Sequence, residues 1–323
     1  PPPPPAPRFF LHADQGIPHF CLSRGLGDVY KRQTVASASM TGLPTQHQLF
    51  DLPLKGFYHT ECPHYFKESY VDETEDSYTD RLITSVEEKI NMVGPDSFAA
   101  LIAEPLMGAG GVILPPKHYF PKLQKVLDEY DISLIDDEVI CGFGRTGNYW
   151  GYETFDMKPA SITIAKALSS GYVPISAVII PDHIYEPIAR ASNQQGIFGH
   201  GYTYSGHPVA CAVALKTIEI YEKTKLFDHV ETVSKTFQRR LHDIRSNHII
   251  GETRGVGLIG AIEIYENREL KQLFDPKFGA GIKVMKLCQR HGLLDRAIQD
   301  TNAICPPLII SNEEVNKLFD ILE

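Results

Sequence analysis

The chain has 323 residues, 43% hydrophobic and 22% charged, the balance of an ordinary soluble globular protein with length for two domains. A formal net charge of −9 without a long Lys/Arg cluster argues against nucleic acid or an anionic membrane as the main partner. No apolar run is long enough to span a bilayer. The six cysteines stand singly without a C-x-x-C, which predicts free thiols in a reducing cytosol and no metal site.

Residues 1–33 open with five prolines and lack both a sustained period and the basic-then-apolar order of a secretory signal, so an unrelated or disordered leader is expected there. From Thr34 the sequence becomes small-residue-rich and then loop-like. Tyr58, His59 and His64 lie in that loop without metal-ligand spacing, so packed or surface roles are expected. ETEDSYTDRLITSVEEKINMVG carries acids in its first turns and apolar residues at helical spacing (Leu82, Ile83, Val86, Ile90, Met92), which predicts a surface helix. SFAALIAEPLMGAGGV reads as a buried strand ending at Glu104-Pro105 and then a glycine turn. KHYFPKLQKVLDEYD reads as an amphipathic helix.

The centre of the chain runs from Ile132 to Ser170. An apolar run ends in Asp136, Asp137 and Glu138, a glycine loop follows (Gly142, Gly144, Gly147), and SITIA then delivers Lys166. Short apolar runs bounded by Asp, Gly and Pro suit buried parallel strands, whose carboxyl ends collect ligands. Asp137 and Lys166 each follow such an end, and one crossover can bring them together. A lysine with a carboxylate opposite suits pyridoxal phosphate (PLP), which needs an amine for its aldehyde and an acid for its ring nitrogen. GFGRTG also matches a dinucleotide fingerprint, which calls for a helix directly after it and an acid about 20 residues on. Both readings describe an enzyme; an NAD-dependent dehydrogenase stays open at this point.

Downstream, SSGYVPISAVII reads as a strand and PDHIYEPIARAS as a helix. GIFGHGYTYSGHP is a loop before the helix VACAVALKTIEIYEKT, where backbone amides with Thr203 and Ser205 could seat a phosphate. LFDHVETVSKTFQRRLHDIRSN reads as a helix, IIGETRGVGLIGAIEIY as a strand pair and AGIKVMKLCQRHG as a helix. GLLDRA and AICPPLII read as strands and NEEVNKLFDILE as a closing helix. The expected organisation is a leader at 1–33, a large α/β domain at 34–217 and a smaller C-terminal α+β domain at 218–323.

AEPLMGAGGV, DDEVICGFGRTG, SITIAKALSSGYVPISAV and HGYTYSGHP occur in the order and spacing of a known group. From about Thr34 onward the sequence resembles the class III (omega) aminotransferases of PLP fold type I, especially amine-, beta-alanine- and taurine:pyruvate enzymes. The resemblance implies a large domain with a mostly parallel sheet, here incomplete because the family's front part is replaced, so a truncated copy is expected. It implies ping-pong transamination through pyridoxamine phosphate, from an amine or omega-amino acid to pyruvate or a similar 2-oxo acid, by a homodimer with shared active sites; the cysteine usage adds the expectation of a cytoplasmic protein.

By that resemblance Lys166 is the Schiff-base lysine and Asp137 the partner of the pyridinium nitrogen. Val139 packs on the ring, and Glu104, Tyr202 and Thr203 are further cofactor contacts, with Thr203 reaching the phosphate across the dimer interface. Arg296 corresponds to an arginine that grips the acceptor's carboxylate. Ornithine- and GABA-type relatives carry a glutamate in the glycine turn that pairs with this arginine. Ala109 stands there instead, which favours a pyruvate acceptor over an ornithine-type enzyme. A catalytically inactive fragment, at most a dimerisation partner, is the other expectation for a copy without the front part.

Overall fold

The computed structural model describes residues 34–48, 50–201 and 203–323, so the expected leader and Tyr202 lie outside the described residues. Helices α1 (Val35–Met40), α2 (Tyr65–Glu68) and α3 (Glu75–Val93) precede the first strand, β1 (Ala100–Ala103). There follow α4 (Tyr119–Glu129), β2 (Ser133–Asp137), the one-turn α5 (Gly151–Thr154), β3 (Ser161–Ile164), β4 (Ala177–Ile179) and α6 (Asp182–Gln195). The four strands form one sheet in chain order, β1 to β3 parallel and β4 antiparallel on β3.

Thr74 caps α3 by accepting from the Ser77 amide, with Glu75 and Asp76 at the positive end of the helix dipole. Its buried face (Tyr78, Leu82, Val86, Ile90) packs on Tyr119, Phe120, Leu123 and Leu127 of α4. Met92, expected on that face, is exposed: two residues beyond Ile90 is more than half a turn around the helix. The strand expected from SSGYVPISAVII is only three residues long, beginning beyond Pro174.

The C-terminal half is α7 (Pro208–Lys223), α8 (Leu226–Asp243), β5 (Ile250–Val256), β6 (Ile259–Ile264), α9 (Ala280–Arg290), β7 (Arg296–Ile298), β8 (Thr301–Ile304) and α10 (Asn312–Leu322). Its strands form an antiparallel sheet ordered β5-β6-β8-β7. Two strands are shorter than their apolar runs predict. The GLLDRA strand starts only at Arg296, after Gly292 turns the chain with φ +89, and the AICPPLII strand stops at Ile304, ahead of Pro306 and Pro307, which have no N–H to donate. α7 runs unbroken through Thr217. One apolar cluster joins Phe143, Ile164 and Leu168 to Val230, Phe237 and Leu241 of α8 and to Phe319 of α10, so both sheets rest on it. Among the described residues no helix is long and apolar enough to cross a membrane.

Candidate active site

In the parallel register Asp136 lies opposite Ile162 and Asp137 opposite Thr163. The Glu138 amide donates to the Thr163 carbonyl at 3.0 Å, extending the ladder one residue past the end of β2. Lys166 is three residues beyond Thr163, so it and Asp137 lie at the same carboxyl end of neighbouring strands. A cavity of about 440 Å³ opens there, lined among others by Glu104, Asp137, Val139, Thr163 and Ala165. Asp137 Oδ1 accepts from the Val139 amide at 3.2 Å, which ties the acid to the residue expected to face a ring.

Lys166 opens a 3-10 turn, Lys166–Ser169, with φ +43, a left-handed conformation uncommon for a side chain of its size. Neighbouring bonds over-determine that turn. Tyr221 of α7 donates its hydroxyl to the Ala167 carbonyl at 2.7 Å, and Ser169 Oγ donates to the Val173 carbonyl at 2.6 Å. Burial pushes the Tyr221 phenol up, against the lowering effect of its bond to Ser170, so it stays a donor at neutral pH. Tyr221 carried no sequence signal beyond a helical apolar position.

Behind the strand tip sit two more acids, Asp136 (0% exposed) and Glu138 (1% exposed). Glu138 Oε1 accepts from the Tyr152 amide at 2.9 Å. Burial pushes the Glu138 carboxyl up, the hydrogen bond from Asp136 and the backbone amides of Tyr152 and Gly151 pull it down, and Asp137 pushes it up again. The balance is upward, with burial its largest cause.

Residues 28–323 match the family described as Aminotransferase class-III. The chain belongs to that family. Gamma aminobutyrate transaminase 3, chloroplastic, of Solanum lycopersicum is 46% identical over 290 residues, which are 90% of this chain and 56% of that protein. Probable gamma-aminobutyrate transaminase 4 of Oryza sativa subsp. japonica is 45% identical over 293 residues, 90% of this chain and 61% of that one. The chain thus spans little more than half the length of these curated relatives. Among solved structures, the omega transaminase from Pseudomonas jessenii in complex with PMP superposes with a TM-score of 0.86 at 44% identity, covering 90% of this chain and 64% of that one. A structure described as a transaminase with L-ala gives 0.88 at 46%, covering 93% and 70%. The α/β architecture with a mostly parallel sheet is that of these class III aminotransferase structures.

The dinucleotide reading of GFGRTG does not survive in this class III chain. Gly142 to Gly147 lie in consecutive turns, followed by the single turn of α5 rather than by the helix that such a fingerprint needs. The loop serves packing instead. Phe143 is buried in the shared cluster, and Arg145 Nη1 donates to the carbonyls of Leu258 at 2.8 Å and Pro306 at 2.7 Å.

The remaining expected residues are spread more widely. Glu104 lines the cavity, and its Oε2 accepts from the Gly108 amide at 3.1 Å, fixing the glycine turn that holds Ala109. Thr203 is exposed on the loop before α7. That loop borders a smaller cavity of about 380 Å³ with Tyr204, Ser205 and His207, and Ser176 and Ala177 line both cavities. Arg296 opens β7, exposed and outside the residues that line the larger cavity. Its ladder partner Ala303 packs with Leu106 and Val112 at the glycine turn, so the acceptor-binding candidate is joined to the cavity through one strand and one turn. Of the loop histidines, His59 lines the cavity, while His64 is buried with Nε2 2.9 Å from Glu252 Oε2.

Proposed function

We propose that this chain acts as a PLP-dependent aminotransferase, moving an amino group from an amine or omega-amino acid to pyruvate or a similar 2-oxo acid in two half-reactions. The observation that carries the reading is the β2–β3 register, which sets Asp137 and Lys166 at one end of two adjacent parallel strands beside a cavity. An omega-amino acid donor is supported by the gamma-aminobutyrate transaminases among the relatives, and a pyruvate-type acceptor by Ala109 in the glycine turn.

The residues suit the cofactor: Asp137 and the apolar Val139 line a largely apolar cavity, and Lys166 directly follows Ala165, another of its lining residues. When bound, PLP supplies an aldehyde and a ring that accepts electrons. Lys166 would hold that aldehyde, and its amine would be the base that accepts the proton of the substrate Cα. The Asp137 carboxylate would keep the ring nitrogen protonated through a charge-assisted hydrogen bond, and Val139 would cover one ring face. Glu104 keeps the glycine turn in place. The Arg296 guanidinium would grip the acceptor's carboxylate with two parallel bonds. Thr203, exposed before α7, would serve the phosphate of a second copy in a homodimer.

Borohydride reduction of the PLP-loaded protein followed by peptide mapping tests the reading. The expected label is on Lys166; a label on another lysine, or none, ends it. Arg296→Ala should lower activity with pyruvate roughly a hundredfold while sparing an uncharged aldehyde acceptor, since a lost bidentate charge pair costs about 3 kcal/mol. Equal losses with both acceptors would remove Arg296 from the acceptor site.

A further inference from the structure

The strand pair β5–β6 carries a buried charged cluster, Glu252, Arg254 and Glu263, whose side chains lie outside the family motifs and the strand-tip site. The Arg254 guanidinium engages groups on every side. Nη1 lies 2.6 Å from Glu252 Oε2 and 2.6 Å from Glu263 Oε2, and Nε donates to the Gly111 and Val112 carbonyls at 3.0 and 3.1 Å. Nη2 donates to the Gly111 carbonyl at 2.8 Å and to Thr301 Oγ1 at 3.4 Å. The glutamates are held in turn. His64 Nε2 is 2.9 Å from Glu252, and Lys67 Nζ is 3.0 Å from Glu263 Oε1. Burial alone would raise the Glu263 carboxyl, but Arg254 and Lys67 hold it below the usual range, so the cluster is ionic at neutral pH. His64, Glu252 and Glu263 bring ligand-type atoms within 4.8 Å of one another, yet Arg254 already brings its positive charge to both glutamates and leaves a metal ion no electrostatic advantage.

What Arg254 grips is strained. Gly111 has φ +118, and Val112 has φ +55, a left-handed conformation that a β-branched residue enters only when its surroundings force it. The flanking residues Gly110 and Ile113 line the large cavity, and Ile113 closes the turn through paired backbone bonds with Met107 at 2.9 and 3.0 Å. On the far side of the guanidinium, Thr301 of β8 is the ladder partner of Ile298 in β7, the strand that Arg296 opens. One planar cation thus bridges the strained wall of the cavity and the sheet bearing the acceptor-binding candidate.

We propose that Arg254 is a positioning residue that locks the glycine turn in its strained form and fixes its distance from the Arg296 strand, thereby setting how well a carboxylate-bearing acceptor is held. The proposal deepens, and in its acceptor part rests on, the aminotransferase reading. A lysine at this position keeps the charge between the two glutamates but cannot reach both carbonyls and both carboxylates with one ammonium group.

The test uses Arg254→Lys together with the charge-balanced pair Arg254→Met/Glu252→Gln, which leaves Glu263 paired with Lys67 should the lysine variant not fold. Hydrogen exchange followed by mass spectrometry is expected to show the turn amides of Gly111, Val112 and Ile113 exchanging at least tenfold faster, with β1 and β2 within twofold of the parent. In the loaded enzyme the KM for pyruvate should rise about tenfold, with the amine half-reaction within twofold. Unchanged exchange at the turn overturns the proposal. Protection lost equally throughout β1, β2 and the turn overturns it too, because Arg254 is then only a fold residue. Equal damage to both half-reactions breaks the link to the Arg296 strand. If the parent chain binds no PLP, the aminotransferase reading fails, while the exchange result still decides the locking role.

Discussion

Two glycine turns follow adjacent parallel strands, Gly108 to Gly111 after β1 and Gly142 to Gly147 after β2, and they serve opposite ends. The β1 turn borders the cavity, with Gly110 among its walls and Glu104 and Arg254 holding its backbone. The β2 turn contributes no lining residue to it and receives the β5–β6 hairpin, where the Leu258 amide donates to the Arg145 carbonyl at 3.0 Å. By sequence alone the β2 turn has more of the character of a ligand loop, because its spacing matches a phosphate-binding fingerprint. The difference teaches that glycine marks a close approach of backbone without saying what approaches, ligand or protein.

The sharpest way to break the contrast is Gly257→Ala. Gly257 turns the β5–β6 hairpin with φ +56, and a Cβ there would meet the Thr146 carbonyl carbon at 2.4 Å and the Arg145 oxygen at 2.5 Å. Both are backbone atoms that cannot swing aside, so we expect a loss of about 4 kcal/mol, from left-handed strain plus overpacking. Urea unfolding measures it; a loss under about 1 kcal/mol would mean that the hairpin is not seated on the β2 turn. Arg145→Met probes the same seat from the other side. It leaves the carbonyls of Leu258 and Pro306 without their donor and should cost roughly 2 to 3 kcal/mol by the same assay.

Much of the parallel sheet was legible because its signals are local: β1, β2 and β3 are short apolar runs closed by Glu, Asp and Lys, and periodicity marked α3 and α4. That Asp137 and the Lys166 turn follow the same end of neighbouring strands was legible for the same reason, since one crossover between parallel strands returns the chain to the same edge. Arg254 was not legible. It sits in a strand beside ordinary polar residues, and its acceptors lie more than 140 positions away in sequence, at Gly111 and Val112. Tyr221 was hidden in the same way, as one more apolar-face residue of α7. Arg296 stood out only through family resemblance, and its place at the start of β7 depends on a helix end and a glycine that left the strand boundary ambiguous.

Glu138 stands between the β2 turn and the cavity, since its carbonyl accepts from the Gly142 amide at 2.9 Å at the neck of that turn while Asp137 beside it lines the cavity. Its folded carboxyl is raised above the ordinary 4.5, so the folded state holds the proton more tightly than the unfolded one. The parent therefore loses stability as pH rises from the unfolded value through the folded one, whereas a glutamine at this position does not titrate. Glu138→Gln should match the parent below about pH 4.5 and exceed it by about 1 kcal/mol at pH 8, read from urea midpoints at both pH values. A gap that closes with rising pH would show that the acid cluster is stabilised as an anion, tying the β2 turn to the charge of the site.

The smallest effect on stability is expected at the β1 turn, from Gly110→Ala. The added Cβ would sit 3.4 Å from Ile113 Cδ1 and 3.6 Å from Met107 Cβ, ordinary contacts, so folding should change by no more than about 0.5 kcal/mol. The methyl nevertheless enters a wall of the cavity, and its consequence should appear in retention of pyridoxal phosphate, followed by absorbance after gel filtration. Gly257→Ala should show the reverse pattern at temperatures where it stays folded, losing stability while keeping cofactor. If Gly110→Ala instead unfolds the chain as readily as Gly257→Ala and leaves cofactor retention untouched, both turns are seats for protein, and the cavity owes its shape to β1 and β2 alone.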